Sequence, residues 1–294
     1  MSATDFDALC DGPLSEALAG LEATRSKAVK RYWITLGIAL VLAVLVFFIP
    51  LGLEIQITLA VIVAIGGFVI ASMPLTKAGN SLKHPVLQAV CSARGMSYTA
   101  DKFVGDGYEG LHPVFGKPTS RTFSDRFAGE DNGRAFAFYE ANLVVGSGKS
   151  RQEVFNGVVF TAARSTGLVG ETIVAPDRGL LNVFKPGKGL ERVKFEDAEF
   201  EKYFEVYSTQ PDEARSLINP IAQAKLKEWR GKKGKLYARI AGNEVAVAFH
   251  ESGKNRFEPG PMLKSMPGRE RVRNICADVD RSLDQLRDIV RHLG

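Results

Sequence analysis

The sequence is poor in cysteine and histidine. Its 294 residues include three widely separated cysteines, Cys10, Cys91 and Cys276, and only four histidines. No two cysteines have C-x-x-C spacing, and no histidine pair has the i, i+4 spacing of a helical zinc site. We therefore expect neither a disulfide framework nor a metal site, and unpaired thiols fit a reducing compartment.

Catalytic motifs are also missing. Gly148-Lys149-Ser150 resembles the end of a phosphate-binding loop, but Leu143 stands where that motif requires glycine. The residues that follow favour a strand, so we interpret the segment as a hairpin turn. No G-x-S-x-G elbow and no G-x-G-x-x-G turn after a strand is present. The sequence thus indicates no catalytic residue and no cofactor.

Two apolar runs dominate what is present. Trp33–Ile49 and Ile55–Met73 contain no charged residue and are separated by the short loop Pro50–Glu54. As helices they would be roughly 25 and 28 Å long, close to the ~30 Å hydrocarbon core of a bilayer. We predict a transmembrane helical hairpin over 32–75. A cleaved signal peptide or two buried helices of a soluble core would be the alternatives.

The charges beside the runs predict the orientation of this hairpin. Basic residues precede the first run and follow the second, whereas the loop between them carries only Glu54. The positive-inside rule therefore places both termini in the cytoplasm, which suits a bacterial inner membrane protein. We expect four residues at the membrane interface: Arg31, Tyr32, Trp33 and Lys77. The small residues of the second run should let the helices approach closely: Ala60, Ala64, Gly67 and Ala71.

Helices should flank the hairpin on both sides. Residues 1–12 are polar and predicted to be loose, and no breaker separates a helix that begins at Pro13 from the first run, so one helix is expected over 13–49. Pro74 is predicted to end the second span or to lie just beyond it, with a linker or a further helix over 75–84. A leucine-rich seam at spacings of three and four predicts a C-terminal helix over 269–293, which would pack on the core sheet or on the 13–31 helix.

The remainder reads as an α+β domain with mostly antiparallel sheet and flanking helices. The clearest hairpins are Arg134–Val145 with Gln152–Ala163, and Lys235–Ala241 with Glu244–His250 around a Gly242-Asn243 turn. In the second hairpin Leu236 should pair with Phe249, and the opposite face, which carries Arg239 and His250, should be the wetter one. Shorter strands are predicted at Thr172–Val174, Leu180–Phe184 and Phe204–Tyr207. Residues 103–132 look irregular, with room for one short strand. The expected organisation is 1–31 cytoplasmic helix, 32–75 hairpin, 76–268 cytoplasmic α+β domain and 269–294 C-terminal helix.

A basic run precedes the second hairpin. It contains six residues that could contact anionic lipid headgroups: Lys225, Lys227, Arg230, Lys232, Lys233 and Lys235. A solvated surface of mixed function explains the run equally simply. No stacking aromatics are interleaved with the charges, and the net charge is only +5, so no nucleic acid partner is expected.

The stretch Phe195–Pro220 carries a family resemblance. It reads FEDAEFEKYFEVYSTQPDEARSLINP. This resembles the signature FExxFEVYSTxxxEARxLxxP of a bacterial family of uncharacterised two-span membrane proteins, a domain of unknown function. Gln210 and Asn219 stand where that family often has Asp and Thr. The resemblance implies an inner-membrane protein with a cytoplasmic domain and adds no reaction or catalytic residue.

Three functions are compatible with these features. A membrane-anchored cytoplasmic binding or scaffold module of unknown ligand is favoured, because anchoring is clear and no catalytic signature is present. An anionic-lipid surface sensor would use the basic run. An enzyme would need a site built by the 103–132 loop and the sheet, since long loops often carry sites. The bilayer is the expected partner, and the 13–31 and 269–293 helices could mediate self-association or bind another protein.

Overall fold

The computed structural model describes residues 3–116, 118–177, 189–231, 234–251 and 255–294. They form an α+β fold, as predicted. The helices are α1 Ala3–Asp11, α2 Ser15–Leu45, α3 Leu53–Ser92, α4 Tyr108–Phe115, α5 Ala198–Tyr203, α6 Pro211–Leu217, α7 Pro220–Arg230 and α8 Gly268–Leu293. The strands are β1 Ser97–Thr99, β2 Ser120–Asp131, β3 Arg134–Val145, β4 Gln152–Ala163, β5 Glu171–Pro176, β6 Glu191–Val193, β7 Phe204–Ser208, β8 Lys235–Ala241 and β9 Glu244–His250.

The chain divides into two compact units, and each unit draws on two separate stretches of sequence. The first comprises Met1–Val90 and Phe257–Val279, and the second comprises Cys91–Arg256 and Asp280–Gly294. The apolar helices belong to the first unit and the sheet belongs to the second. The C-terminal helix α8 contributes its first residues to one unit and its last residues to the other.

Helix α2 is continuous, as predicted, and runs into a short 3-10 turn at Val46–Phe48. The prediction of a loose N-terminus is wrong, because Ala3–Asp11 is helical. Its apolar residues Phe6, Leu9 and Cys10 are spaced to share one helix face, and all three are buried. Asp11 does not cap α2; its carboxylate contacts Arg269 instead.

Helix α3 does not end at Pro74, so residues 75–84 are helical and are not a linker. It continues through Pro74 and Pro85 to Ser92. The cost of a proline inside a helix is about 3 kcal/mol. Here a buried apolar stripe persists beyond both prolines, and its packing offsets that cost. The stripe comprises Ala71, Ala78, Leu82, Val86 and Val90.

The described strands of the second unit form one sheet with the order β1-β2-β3-β4-β9-β8-β5-β7-β6. Every neighbouring pair is antiparallel. The two main hairpins have the predicted bounds, and Leu236 pairs with Phe249 as expected. The strand predicted at Leu180–Phe184 lies outside the described residues.

The segment 103–132 is more regular than predicted. It forms helix α4 and the long strand β2, which pairs with β3 almost throughout. Its turn-forming residues are used locally: Asp125 adopts a φ of 51° where the register shifts between Ser124 and Phe127. Phe127 is fully buried and stacks on Phe138 at 4.6 Å between ring centroids, which keeps the strand in the sheet.

Both faces of the β8–β9 hairpin are covered. One face was predicted to be wetter, but Tyr237, Ala246 and Ala248 on that face are buried in a cluster with Leu111 and Phe115 of α4. The error follows directly from the missed helix, because α4 supplies the apolar cover. Sheets covered on both sides lose the simple alternation of apolar and polar residues.

Helix α8 contacts both of the partners expected for it. In the first unit, a Cβ on Gly268 would lie only 2.7 Å from Leu18 Cδ2 of α2. In the second unit, Trp229 Nε1 of α7 donates to Asp288 of α8 at 2.9 Å, and the Arg287 guanidinium of α8 donates to the Asp131 carboxylate at the end of strand β2 at 3.4 Å. The apolar stripes that could have mediated self-association are therefore largely occupied within each unit.

Candidate functional site

The apolar runs of helices α2 and α3, within Trp33–Ile49 and Ile55–Met73, expose most of their side chains and form an exposed apolar band. Both helices are long and apolar enough to cross a membrane, by length and composition. The most hydrophobic window of α2 is only 11% buried and that of α3 only 6%. Large side chains such as Trp33, Phe48 and Met73 are exposed. Such a surface is unlike that of a soluble core helix, which would be mostly buried.

Polar side chains within the band satisfy their hydrogen bonds locally. The Thr58 hydroxyl donates to the Glu54 carbonyl at 2.8 Å, and the Ser72 hydroxyl donates to the Phe68 carbonyl at 2.7 Å. At the loop, the Gln56 amide donates to the Ile49 carbonyl at 2.8 Å. A hydrocarbon environment requires this arrangement, because it offers no water to unpaired polar groups.

The two helices of the hairpin approach each other at small residues. A Cβ built on Gly67 would lie 2.1 Å from Ala39 Cβ, and Ala39 and Ala71 are both buried. Close approach through small residues is typical of membrane helices. The prediction therefore holds at Gly67 and Ala71, whereas Ala64 is exposed.

The predicted interface residues flank the band. Arg31, Trp33 and Lys77 are exposed, at the ends of the band where headgroups would lie. Tyr32 is only 8% exposed, and its ring packs edge-on against Trp33 with 5.2 Å between centroids. Tyr32 therefore supports Trp33 from inside the unit.

Two of the six residues in the basic run, Lys225 and Lys227, are paired with neighbouring acids. Lys225 lies 3.0 Å from Glu228 and 3.5 Å from Asp288. Lys227 lies 2.7 Å from Asp197 and 2.9 Å from Glu199, and these hydrogen bonds raise the pKa of Lys227. The Arg230 guanidinium stacks over the Tyr203 ring at 4.1 Å. Lys235 is exposed, and Lys232 and Lys233 lie outside the described residues.

A groove of about 360 Å³ opens on the sheet, beside the buried cluster that contains Leu111 and Phe115 of α4. Its floor is made mainly of small side chains from β2, β3 and β4, and polar side chains stand among them. The apolar lining comprises Ala128, Gly129, Ala135, Phe136, Ala137, Ala162 and Ala163. The polar lining comprises Asp106, Arg126, Thr161, Asn243 and Glu244. Residues distant in sequence thus form one concave surface.

The loop Gly105-Asp106-Gly107 forms one wall of the groove. A Cβ on Gly105 would lie 2.6 Å from Tyr139 Oη, and one on Gly107 would lie 2.6 Å from Thr161 Cγ2. These close approaches leave no room for a Cβ at either position. Gly107 also has a φ of 66°, which favours glycine. The Tyr139 hydroxyl donates to the Asp106 carbonyl at 2.8 Å, which fixes the loop on the sheet.

The charges of the groove are partly paired. Arg126 donates to both carboxylate oxygens of Asp106, at 2.5 and 3.2 Å, and this hydrogen bonding raises the pKa of Arg126 against the opposing effect of burial. Glu244 lies 3.9 Å from Arg239, whose closer partner is Glu171 at 2.6 Å. Glu244 is therefore the acid of the groove with the weakest ion pair.

The sequence analysis placed a possible enzyme site between the 103–132 segment and the sheet, but it identified no residue of this groove. Its one local signal is Gly105-Asp106-Gly107 followed by Tyr108, Leu111 and Phe115 at helical spacing. Gly148-Lys149-Ser150 forms a 3-10 turn in the β3–β4 loop, so its interpretation as a turn is confirmed. Within the part of the chain that the structure describes, no three His, Cys, Asp or Glu side chains gather as metal ligands.

Comparisons with known proteins add a family match. Residues 153–294 match the family model "Protein of unknown function (DUF3137)", a range that includes the Phe195–Pro220 stretch. None of the curated proteins matches the chain. Among solved structures, the chain is similar to the mycobacterial trehalose monomycolate transport factor A, TtfA, at 15% identity. That likeness covers 67% of this chain and 94% of that one, with a TM-score of 0.34.

Proposed function

We propose that the protein is a membrane-anchored binding module, with the α2–α3 hairpin inserted in the bacterial inner membrane and both termini in the cytoplasm. The exposed apolar band carries this proposal. Burying one large apolar side chain is worth about 1.5–3 kcal/mol, so leaving the whole band in water would be very unfavourable. Insertion into a bilayer removes that cost, and the internally bonded Thr58 and Ser72 hydroxyls suit it.

Cysteine accessibility in spheroplasts tests both insertion and orientation. The three native cysteines are buried, so the unmodified chain serves as the labelling control. Leu51 lies in the loop of the hairpin and Glu16 lies near the start of α2, and both are exposed. A membrane-impermeant maleimide should label Leu51→Cys in intact spheroplasts and Glu16→Cys only after permeabilisation. The reverse pattern would contradict the orientation, and recovery of the chain in the soluble fraction would contradict the anchor.

We assign ligand binding to the groove beside α4. The support is its shape and lining: a floor of small apolar residues can take an apolar or planar group, while Glu244, Asn243 and Thr161 can orient polar groups. The ligand class that fits is a small organic molecule with both kinds of surface. The same groove would serve the alternative of an enzyme, because Asp106 and Arg126 come from the 103–132 segment.

Filling the groove tests this assignment. Ala135 lines the groove and is exposed, so Ala135→Tyr occupies the space with little effect on the core. Fragments that bind the full-length chain in micelles, detected by ligand-observed NMR, should lose binding in this variant. Thr122→Tyr, at an exposed position outside the groove, should keep it. Binding that survives Ala135→Tyr would place the site elsewhere.

Lipid sensing by the basic run remains a second, less supported candidate. Lys225 and Lys227 each contact two carboxylates, which reduces the charge available to anionic headgroups.

A further inference from the structure

The turn Pro259–Lys264, hereafter the 259–264 turn, is held rigidly within the first unit. The guanidinium of Arg271 is fully buried and donates to four backbone carbonyls of the turn. The acceptors are Pro259 at 2.9 Å, Gly260 at 3.3 Å, Pro261 at 3.2 Å and Lys264 at 2.7 Å. A turn fixed through four carbonyls presents its outward side chains in one orientation.

The turn docks on both long helices, at positions beyond their apolar runs. A Cβ on Gly79 of α3 would lie 3.8 Å from Met262 and 3.9 Å from Pro259, which is ordinary van der Waals contact. From α2, the Arg25 guanidinium donates to the Met262 carbonyl at 3.2 Å. These contacts fix the position of the turn along the hairpin.

With the hairpin inserted, that position is at the outer edge of the headgroup layer. Gly79 is six residues beyond Met73, the last residue of the apolar run, and therefore about 9 Å further along the helix axis. The headgroup layer adds roughly 5–8 Å on each side of the hydrocarbon core, and helix tilt shortens the axial distance slightly. A turn packed at Gly79 therefore lies at the outer edge of the headgroup layer when the hairpin is inserted.

The exposed side chains of the turn suit such a surface. Leu263 is 45% exposed, and Lys264 beside it is exposed as well. Lys77, exposed on α3 close to the docking point, adds a second basic group. An apolar side chain next to lysines is the combination that interfacial segments use, with the apolar group between acyl chains and the amines near phosphate.

We propose that the 259–264 turn is a membrane-surface element, in which Leu263 enters the headgroup layer of the anionic cytoplasmic leaflet and Lys264 contacts lipid phosphate. This inference rests on the proposed function, because it requires an inserted hairpin. It assigns lipid contact to the turn rather than to the basic run around Lys225. It also gives the buried Arg271 the role of positioning residue for a lipid-facing turn.

Site-specific fluorescence in vesicles tests the proposal. The full-length chain is labelled with an environment-sensitive dye at Leu263→Cys and reconstituted into phosphatidylethanolamine–phosphatidylglycerol vesicles. Headgroup-attached spin labels should quench this dye several-fold more strongly than a dye at Glu16→Cys. Glu16 is the matched control because it is exposed on α2 about 25 Å beyond Trp33 along the helix.

A third label separates failure of this inference from failure of the anchor. Ile62 is 60% exposed in the middle of the α3 apolar run, so a dye at Ile62→Cys should be quenched by acyl-chain spin labels. Quenching at Ile62 together with headgroup quenching at Leu263 supports both proposals. Quenching at Ile62 with a Leu263 signal equal to that of Glu16 overturns the turn's role alone. No quenching at Ile62 overturns the anchor and the turn's role together.

Discussion

His250 shows how folding shifts the charge of a single side chain. It lies at the end of β9, where its Nδ1 accepts a hydrogen bond from the Asn156 backbone N–H at 3.1 Å. Burial, and then the positive charge of its cross-strand partner Lys235, lower the pKa of His250 from its ordinary value of 6.5, and Glu153 and Glu251 only partly oppose them. The folded protein therefore favours the neutral ring.

This shift predicts a loss of stability in mild acid. As the pH falls, the unfolded chain takes up the proton first, so the stabilisation by neutral His250 is complete above pH 6.5 and is lost as the pH falls through the lower folded pKa. The denaturation midpoint of the full chain, measured at several pH values, should decrease as the pH is lowered through this range. His250→Gln should weaken that dependence and His292→Gln should retain it. An unchanged pH profile in His250→Gln would contradict the assignment.

Two adjacent glycines offer a test of the helix crossing. A Cβ on Gly67 would meet Ala39 at 2.1 Å, whereas one on Gly66 would meet nothing within 4 Å. We expect Gly67→Leu to separate the helices of the hairpin and lower the detergent concentration at which it unfolds, as followed by circular dichroism. Gly66→Leu, with the same change in hydrophobicity, should unfold like the wild type. Equal behaviour of the two variants would place the crossing elsewhere.

Among the elements, the short helix α4 covers part of the sheet with three buried side chains, Leu111, Val114 and Phe115. Leu111 is fully buried in the core cluster, so Leu111→Ala should lower the free energy of unfolding by about 2–5 kcal/mol. Glu109→Ala is the control on the same helix, because the Glu109–Arg121 pair is exposed and such pairs are worth about 0–1 kcal/mol. Chemical denaturation followed by tyrosine fluorescence compares the two. Similar losses in both variants would contradict the assigned role of α4.

Elements with strong local signals were predictable from sequence. The β8–β9 hairpin combines a two-residue turn with strict alternation, and the structure reproduces its register. Helix α4 and strand β2 were missed because Gly105, Gly107 and Asp125 read as loop residues, although they serve a close approach and a bulge. Pro74 likewise does not interrupt α3, because burial of the apolar stripe outweighs the local cost of proline.

Across the whole molecule, what could not be predicted depends on distant residues meeting. The groove joins Asp106, Arg126, Thr161 and Glu244 from four parts of the chain, and no local pattern encodes that meeting. Likewise, β5 pairs with β8 and β7 rather than with its neighbours in sequence. The apolar band, by contrast, was evident at once, because hydropathy is a property of a continuous segment.

The division into units predicts the outcome of a truncation. Both units need residues beyond Arg256, since Phe257–Val279 completes one and Asp280–Gly294 completes the other. A chain that stops at Arg256 should be degraded rapidly in limited proteolysis of membranes, at sites in the sheet as well as near the hairpin. Retention of wild-type resistance would show that the C-terminal stretch is dispensable for folding.

The same discontinuity imposes an order on biosynthesis. The apolar hairpin leaves the ribosome long before Phe257, so it can insert while Arg25 and Gly79 still lack the turn that later packs on them. With the hairpin inserted as proposed, residues 91–256 would then emerge on a nascent chain that is already tethered. Neither unit can be complete before α8 has been synthesised, because Phe257–Val279 belongs to one unit and Asp280–Gly294 to the other.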